Sequence, residues 1–138
     1  MLSQVQVSLP TVSCKLHGTV SGAIANNLPV AHVEKYVDLT VTGDTSFTLP
    51  AGYIITSITT KETAGNTVTG GIDIGTSDGG GEIVLAHGVT GSATALCALV
   101  AGFNYNLTGA DATIYITKVT DWNSASVEIR VQMQRIDM

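Results

Sequence analysis

The stretch Ser126–Ile136, SVEIRVQMQRI, decides the fold class because its apolar and polar residues alternate without interruption. Its apolar members are Val127, Ile129, Val131 and Met133, and its polar members are Glu128, Arg130, Gln132 and Gln134. Successive side chains of a β-strand point to opposite faces of the sheet. The alternation therefore predicts a strand with one buried face and one exposed face.

The same period of two recurs through the middle of the chain. It predicts a strand in YVDLTVTG from Tyr36, another around Phe47–Leu49, a turn at Pro50–Gly52, and a strand from Tyr53 to about Thr60. In this last strand the alternation of Ile54 and Ile58 with Thr56 and Thr60 suggests one buried face. Further strands are predicted in the segments VTGGIDIGT, where Gly70, Gly71 and Gly75 indicate bends or a bulge, EIVLA after a glycine-rich hairpin loop, and ATIYITKVT.

One segment, ATALCALVAG at residues 93–102, fits a short helix and a buried strand equally well. Counting the others, seven or eight short strands with little helix predict an all-β fold, an antiparallel β-sandwich formed by residues 35–138. Residues 1–34 have weaker periodicity and two prolines. We interpret them as an extended N-terminal arm, or else as a first strand that completes the sandwich itself.

The composition narrows the classes of function. Only 12% of the 138 residues are charged, against roughly 25% in an ordinary soluble domain, so the surface is expected to be neutral and rich in Thr, Ser and Asn. A net charge of −5 with six Lys and Arg residues predicts no direct binding to nucleic acid. The sequence predicts neither a secretory signal nor a membrane span, and Cys14 and Cys97 are expected to be free thiols rather than a disulfide.

No motif in the sequence indicates catalysis, a metal or a cofactor. Asp73, Asp78 and Glu82 lie near glycine turns but lack the close spacing of a calcium loop, so we expect solvated acids beside a tight connection. The three histidines are too widely separated for a zinc site. Trp122 follows the strand ATIYITKVT, and we predict that it caps the end of the core or, alternatively, anchors a contact with a partner.

The segment from Leu49 to Val84, LPAGYIITSITTKETAGNTVTGGIDIGTSDGGGEIV, together with ATIYITKVTDWNSASVEIRV, resembles the head decoration and cement proteins of tailed bacteriophages and the related β-sandwich domains of head and tail fibres. The shared elements are the LPAGY turn, the TGGIDIGT strand, the GGG loop and the late DWNSASVEI hairpin, and they cover about half of the chain. The resemblance implies a jelly roll without catalytic residues, present as a dimer or trimer.

The leading hypothesis from this resemblance is a non-enzymatic structural virion protein. It would be assembled in the host cytoplasm, bind the major capsid protein on the capsid exterior and stabilise contacts between shell subunits. In this hypothesis the arm lies across neighbouring subunits, and its contact residues are Val5, Val7, Leu9 and Pro10, with Trp122 as a further candidate.

Two alternatives belong to other classes of protein. A carbohydrate-binding fibre domain for host attachment would use the aromatic residues Trp122, Tyr105 and Tyr53 to stack on glycans. A hydrolase acting on surface polysaccharide would need a pair of carboxylates across a sugar cleft, and the sequence shows no such pair with aromatic platforms beside it.

Overall fold

The computed structural model describes residues 34–101 and 110–136, and these belong to the compact unit His32–Met138. The described residues form eight β-strands, without any helix: β1 (Glu34–Val41), β2 (Thr45–Leu49), β3 (Tyr53–Ala64), β4 (Val68–Gly75), β5 (Val84–Val89), β6 (Ala95–Leu96), β7 (Ala112–Lys118) and β8 (Ser126–Arg135). In this part of the chain there is accordingly no apolar helix that could cross a membrane. Residues 1–33 of the predicted arm lie outside the described residues, whereas Glu34 is the first residue of β1, and the boundary between arm and domain stays a prediction.

The strands form two four-stranded antiparallel sheets. Sheet I has the order β1-β8-β3-β6, and sheet II has the order β2-β7-β4-β5. The pairs β1–β8, β2–β7, β3–β6 and β4–β5 are those of one long antiparallel hairpin folded over on itself, which is the topology of an eight-stranded jelly roll. The predicted all-β antiparallel sandwich is confirmed, and the strand order identifies it as a jelly roll.

β8 lies between β1 and β3, and its alternation is the one predicted. The four apolar side chains of β8 are at most 1% exposed, and they pack in one hydrophobic cluster with residues from both sheets. Sheet II contributes Ile72, Ile74, Ile114 and Ile116, all fully buried. Because burial of an aliphatic side chain contributes about 1.5–3 kcal/mol, this shared cluster is the main reason that the two sheets stay together.

The alternation predicted for β3 is correct for Ile58 but wrong for Ile54 and Thr60, because the strand contains a bulge. The register against β8 shifts between Ile55 and Ser57, which moves the inward-facing set from odd to even residue numbers. Ile55 and Ile58 are therefore buried, whereas Ile54 lies half-buried on the outer side. Thr60, expected on the exposed face, is 1% exposed and points into the core.

The glycines of β4 produce the irregularity that the sequence predicted. Gly70 and Gly71 have φ angles of 77° and 87°, and the register with β5 shifts between Val68 and Ile72. Ala86, on the neighbouring strand, also has a positive φ of 48°. Residues 76–83 then connect β4 to β5 as the expected glycine-rich hairpin.

The ambiguous segment ATALCALVAG forms neither of the two structures that fitted its sequence. In its described part, residues 93–101, only Ala95–Leu96 pair as β6 with β3, and no helix forms. Cys97 donates its backbone N–H to the carbonyl of Ile58 and is buried, while Leu96 is 69% exposed. The segment thus contains a two-residue strand, β6, at the edge of sheet I.

Candidate interaction surface

The outer face of sheet I is defined here by Tyr36, Asp38, Ile54, Lys61, Leu96, Glu128, Arg130 and Gln132. The register places Asp38, Arg130 and Thr59 in one row across three strands, and Tyr36, Gln132 and Ser57 in the next. Because the opposite face of the same strands is the core, these side chains point away from the protein. The face is a nearly continuous surface formed by all four strands.

Polar side chains at the centre of this face hold one another in place. Arg130 Nη2 donates to Glu128 Oε2 over 2.7 Å, and this bond lowers the pKa of the Glu128 carboxyl and raises the pKa of the Arg130 guanidinium. Gln132 Nε2 donates to Glu34 Oε1 over 2.8 Å, while Gln132 Oε1 accepts from the Ser57 hydroxyl over 3.0 Å. Arg130, Glu128 and Gln132 thus have partners within the face.

Two large apolar side chains lie at opposite edges of the outer face of sheet I. Tyr36 on β1 is 54% exposed, and Leu96 on β6 is 69% exposed. Protein–protein interfaces are enriched in aromatic residues and usually have an apolar centre and a polar rim. This face has its polar groups at the centre, so each apolar edge is a separate candidate for a contact. The sequence analysis did not single out either residue. Tyr36 could have been found from the alternation of β1, because its neighbour Val37 faces the core and Tyr36 must therefore face outward. Leu96 could not, because it lies in the segment whose sequence fitted both a helix and a strand.

The edge of β1 is open in the described part of the chain. β1 pairs there only with β8, so the N–H and C=O groups on its other edge have no strand beside them. The core-facing side chains Val37, Leu39 and Val41 are only half-buried, unlike those of β8. An eight-residue strand with an open edge and a partly exposed apolar row is well suited to accept an additional strand.

Trp122 lies at the corner where the connection between β7 and β8 meets the start of β2. It is 5% exposed, and its Nε1 donates to Asp44 Oδ1 over 2.8 Å. The same oxygen accepts from the backbone N–H of Lys118, whose Nζ lies 3.5 Å from Asp44 Oδ2. The bond from Trp122, with the two from Lys118, lowers the pKa of the Asp44 carboxyl. The indole occupies the capping position that was one of its two predicted roles.

Replacing Asp44 with alanine is expected to destabilise the domain by about 1–3 kcal/mol, because the buried indole N–H loses its acceptor. Asp121→Ala, which changes an exposed acid in the adjacent connection, is expected to stay within about 0.5 kcal/mol. Urea unfolding at pH 7 measures both. Since Asp44 has a lowered folded pKa, its contribution is present above the ordinary carboxyl range and is lost as the pH falls through it. Equal stability of D44A and the unaltered chain would contradict this role.

The acids near the glycine loop bind the backbone of the chain. Glu82 Oε1 accepts from the N–H of Thr76 over 2.6 Å, and Asp73 Oδ1 accepts from the N–H of Ala86 over 2.6 Å. The bonds from Thr76 lower the pKa of the Glu82 carboxyl. Within residues 34–101 and 110–136, no three His, Cys, Asp or Glu side chains are grouped as metal ligands. The acids therefore fix the shape of the connection between β4 and β5.

A polar group in the interior joins the two sheets. Thr60 Oγ1 on β3 lies 3.0 Å from His87 Nε2 on β5, and Cys97 is close to the same hydroxyl. Burial lowers the pKa of His87 and raises the pKa of the Cys97 thiol to about 12. The thiol is free, as predicted, and it remains protonated and unreactive at neutral pH. Cys14 lies outside the described residues.

The burial of His87 predicts a pH dependence of stability. Because the folded pKa of His87 is lowered, the unfolded chain binds the proton more readily, and stability falls as the pH falls below about 6.5. His87→Gln keeps a side chain that can bond Thr60 but cannot titrate. The difference in unfolding free energy between the two chains, measured from pH 8 to pH 5, is expected to shift in favour of H87Q with acidification. A difference that does not vary with pH would show that His87 titrates normally.

The predicted site residues do not come together in the described structure. Val5, Val7, Leu9 and Pro10 lie outside the described residues, so their role as contacts stays a prediction. Trp122 is described, but its buried ring offers little surface to a partner.

The aromatic set of the carbohydrate hypothesis is also dispersed. Tyr53 is 7% exposed and pairs with Arg135 at the end of β8, with Lys35 Nζ 5.2 Å from its ring centre. Trp122 lies before the start of β8, so about ten strand residues, roughly 30 Å, separate the two rings. Tyr105 lies outside the described residues. Tyr53 and Trp122 cannot form one glycan platform.

Comparison with solved structures shows a likeness in fold to a phage protein. No protein-family model and no curated protein matches the chain. A solved chain from the cyanophage Pam1 capsid asymmetric unit is similar to it with a TM-score of 0.46 and 16% sequence identity, over 91% of this chain and 97% of that chain. What this protein binds must therefore be inferred from its own edges and surfaces.

Proposed function

We propose that this chain is a non-enzymatic structural protein of a tailed-phage virion, a cement or decoration protein on the outer surface of the capsid. The observation that carries the proposal is the open edge of β1, with its half-buried row Val37, Leu39 and Val41. This strand directly follows residues 1–33, which contain the alternating segment QVQVSL. An edge strand preceded in the sequence by such a segment is the arrangement needed for strand exchange with a neighbouring protein.

In this proposal, backbone hydrogen bonds supply much of the binding energy. A strand added to β1 satisfies N–H and C=O groups that have no strand beside them among residues 34–101 and 110–136, and an arm added to an edge of a shell subunit does the same there. The alternation of Val5, Val7 and Leu9 would place one apolar row against the partner and one polar row toward solvent. The partners are the major capsid protein and further copies of this chain, as a dimer or trimer.

The outer face of sheet I supports the same proposal through its composition. Arg130 and Glu128 pair within the face, and Glu34 accepts a bond from Gln132, so these groups can lie against another protein without losing their partners. Tyr36 and Leu96 offer apolar area at its two edges. A neutral surface of this kind fits protein contacts better than contacts with nucleic acid.

Stabilisation of a shell by such a protein follows from mass action. A ligand that binds the assembled shell, and does not bind dissociated subunits, shifts the equilibrium toward the assembled state. Each copy that bridges two subunits adds its own contribution, so many weak contacts together produce a large effect. A compact domain with an edge for strand addition is sufficient, and no catalytic group is required.

The proposal is tested by adding the purified full-length chain to particles that lack it. The chain in which Val5 and Val7 are both replaced by aspartate is compared with a control in which Gln4 and Gln6 are both replaced by aspartate. Both variants add two negative charges, but only the first changes the apolar row. Losing the burial of two valines costs about 3 kcal/mol or more, so we expect about a hundredfold weaker binding for the first variant and a much smaller change for the control.

Two further measurements accompany the binding test. The temperature at which particles release their DNA is expected to rise with the unaltered chain and with the control, but not with the valine variant. Circular dichroism of each free chain verifies that the domain remains folded. Equal binding by the two double variants would show that the apolar row of the arm does not contact the capsid. If the unaltered chain did not bind the particles, the proposed cement function would be wrong.

A further inference from the structure

Four strands lie at sheet edges in the described part of the chain, and β1 is the longest and most regular of them. β1 has eight residues, against two in β6, five in β2 and six in β5. Its pairs with β8 run from Glu34 to Val41 without a register shift, whereas the pairing of β5 with β4 shifts twice. Long, uninterrupted edges are the ones to which another strand adds. β1 is therefore the edge best suited to pairing with a partner.

β1 also lacks the features that usually protect an edge strand. Such strands carry a proline, a bulge or a charged side chain that points inward. β1 contains no proline, and Lys35 is the charged residue on the same side of the strand as Val37. The Lys35 ammonium lies 5.2 Å from the ring centre of Tyr53 on β3. Because β3 lies beyond β8, this charge extends away from the open edge and leaves it unprotected.

The core-facing row of β1 is incompletely covered. Val37, Leu39 and Val41 pack against the core but are only half-buried, whereas the residues of β8 opposite them are fully buried. The difference arises because β8 has a strand on each side and β1 has a strand on one side in the described part of the chain. A further strand with alternating apolar residues would remove the remaining apolar area from water.

The sequence of β1 is complementary to a second copy of itself. Two copies related by a two-fold axis perpendicular to the sheet pair antiparallel, and each inward residue then lies opposite an inward residue. With Leu39 at the axis, Val37 lies opposite Val41 of the second copy, and on the outer side Asp38 lies opposite its Thr40. Each half-buried apolar residue then faces an apolar residue, and no like charges face each other.

The neighbouring registers fit less well. With Asp38 at the axis, two carboxylates lie directly opposite each other, which is destabilising. With Val37 at the axis, Lys35 lies opposite Leu39 of the second copy, and with Thr40 at the axis, Val37 lies opposite a glycine. Charge and apolar complementarity therefore select the register with Leu39 at the axis.

We propose that β1 pairs antiparallel with β1 of a second copy of this chain, about a two-fold axis at Leu39, so that sheet I continues from one copy into the other. This register places Lys35 of the second copy opposite Gly43, where an added Cβ meets nothing within 4 Å. The inference rests on the open edge that carries the proposed function, and it names the occupant of that edge, which leaves the arm for the shell. It is tested on the free protein, so it can fail while the cement function holds.

The exposed residue Thr40 tests the pairing without changing the core. Thr40→Asp places a carboxylate opposite Asp38 of the second copy at two symmetric positions, and Thr40→Lys places an ammonium there. Thr113→Asp, at an exposed residue of β7, adds the same charge to the other sheet as the matched control. Sedimentation velocity of each free full-length chain at increasing concentration gives the dimer affinity, and circular dichroism verifies that each chain is folded.

We expect the unaltered chain to dimerise with about micromolar affinity, because a contact between two edge strands is small. T40D should weaken the dimer about tenfold, T40K should tighten it several-fold, and T113D should leave it unchanged.

Cysteine crosslinking reports the register. Leu39→Cys and Val37→Cys are each combined with Cys14→Ser and oxidised with copper phenanthroline, while Cys97 stays because it is buried. Directly opposite residues have Cα atoms about 4.5–5.5 Å apart, which a disulfide can join, so L39C should form a covalent dimer. In the same register the two copies of residue 37 are offset by several positions, and V37C should crosslink much more slowly.

Three results would overturn the proposal. The first is a free chain that stays monomeric at high concentration, as it would if its own segment QVQVSL covered β1. The second is a T40D dimer as tight as that of T113D. The third is crosslinking of V37C as fast as that of L39C, which would show that another register or another strand occupies the edge.

Discussion

Gly71→Ala is expected to destabilise the domain by about 3 kcal/mol or more, enough to unfold much of the population in a marginally stable chain. A Cβ at this position would lie 2.6 Å from the carbonyl oxygen of His87 and 2.9 Å from the carbonyl carbon of Ala86. These are backbone atoms of β5, so they can give way only if the two strands separate. The φ of +87° adds strain that glycine does not have.

Gly88→Ala is the matched control for this experiment. Gly88 lies on β5 beside His87, a Cβ there meets nothing within 4 Å, and its φ is not in the positive range. Its replacement is expected to change stability by less than about 1 kcal/mol. Urea unfolding followed by circular dichroism measures both variants. Equal stability of G71A and G88A would show that the backbone of β4 at Gly71 does not lie as close to β5 as the structure indicates.

Trp122→Ala is expected to cost about 3–5 kcal/mol, because it removes the largest side chain at this end of the core. Trp122→Phe should recover much of the loss, since it restores an aromatic ring and leaves out only the hydrogen bond to Asp44. Leu85→Ala, at a residue 68% exposed, serves as control and is expected to stay within about 0.5 kcal/mol. Thermal and urea unfolding give the comparison.

A stable W122A variant would contradict the capping role of Trp122. If W122A were as stable as the control but lost binding to particles, the tryptophan would be a contact for a partner, which was the second of its two predicted roles. Loss of stability without a specific loss of binding by the remaining folded protein supports the capping role that its buried position indicates.

Much of the fold could be predicted because its strands are locally regular. β8 has one face in the core along its whole length, so the alternation of Val127 to Met133 is visible in the sequence. Strand order could not be predicted in this way, since the pairing of β1 with β8 joins residues about ninety apart. Ile54 and Thr60 were assigned to the wrong faces of β3, because a bulge after Ile55 shifts the inward-facing residues and no glycine or proline marks it in the sequence.

The candidate surfaces were predicted less well, for a physical reason. Aromatic residues were chosen as possible contacts, yet Trp122 and Tyr53 are buried, because a sandwich needs large side chains to close its ends. Leu96 is exposed because β6 is only two residues long and lies at an edge. The groove lined by Asp44, Asp78 and Thr117 brings together β2, β7 and the connection after β4, and no local pattern in the sequence predicts that arrangement.

Imaging of the intact particle by cryo-electron microscopy tests the central claim most directly. The account predicts jelly-roll density on the outside of the shell at regular lattice positions, with β1 facing a neighbouring protein and a strand paired along its open edge. Density for this chain only at the end of a fibre, or purified particles that lack the chain altogether, would contradict the cement function.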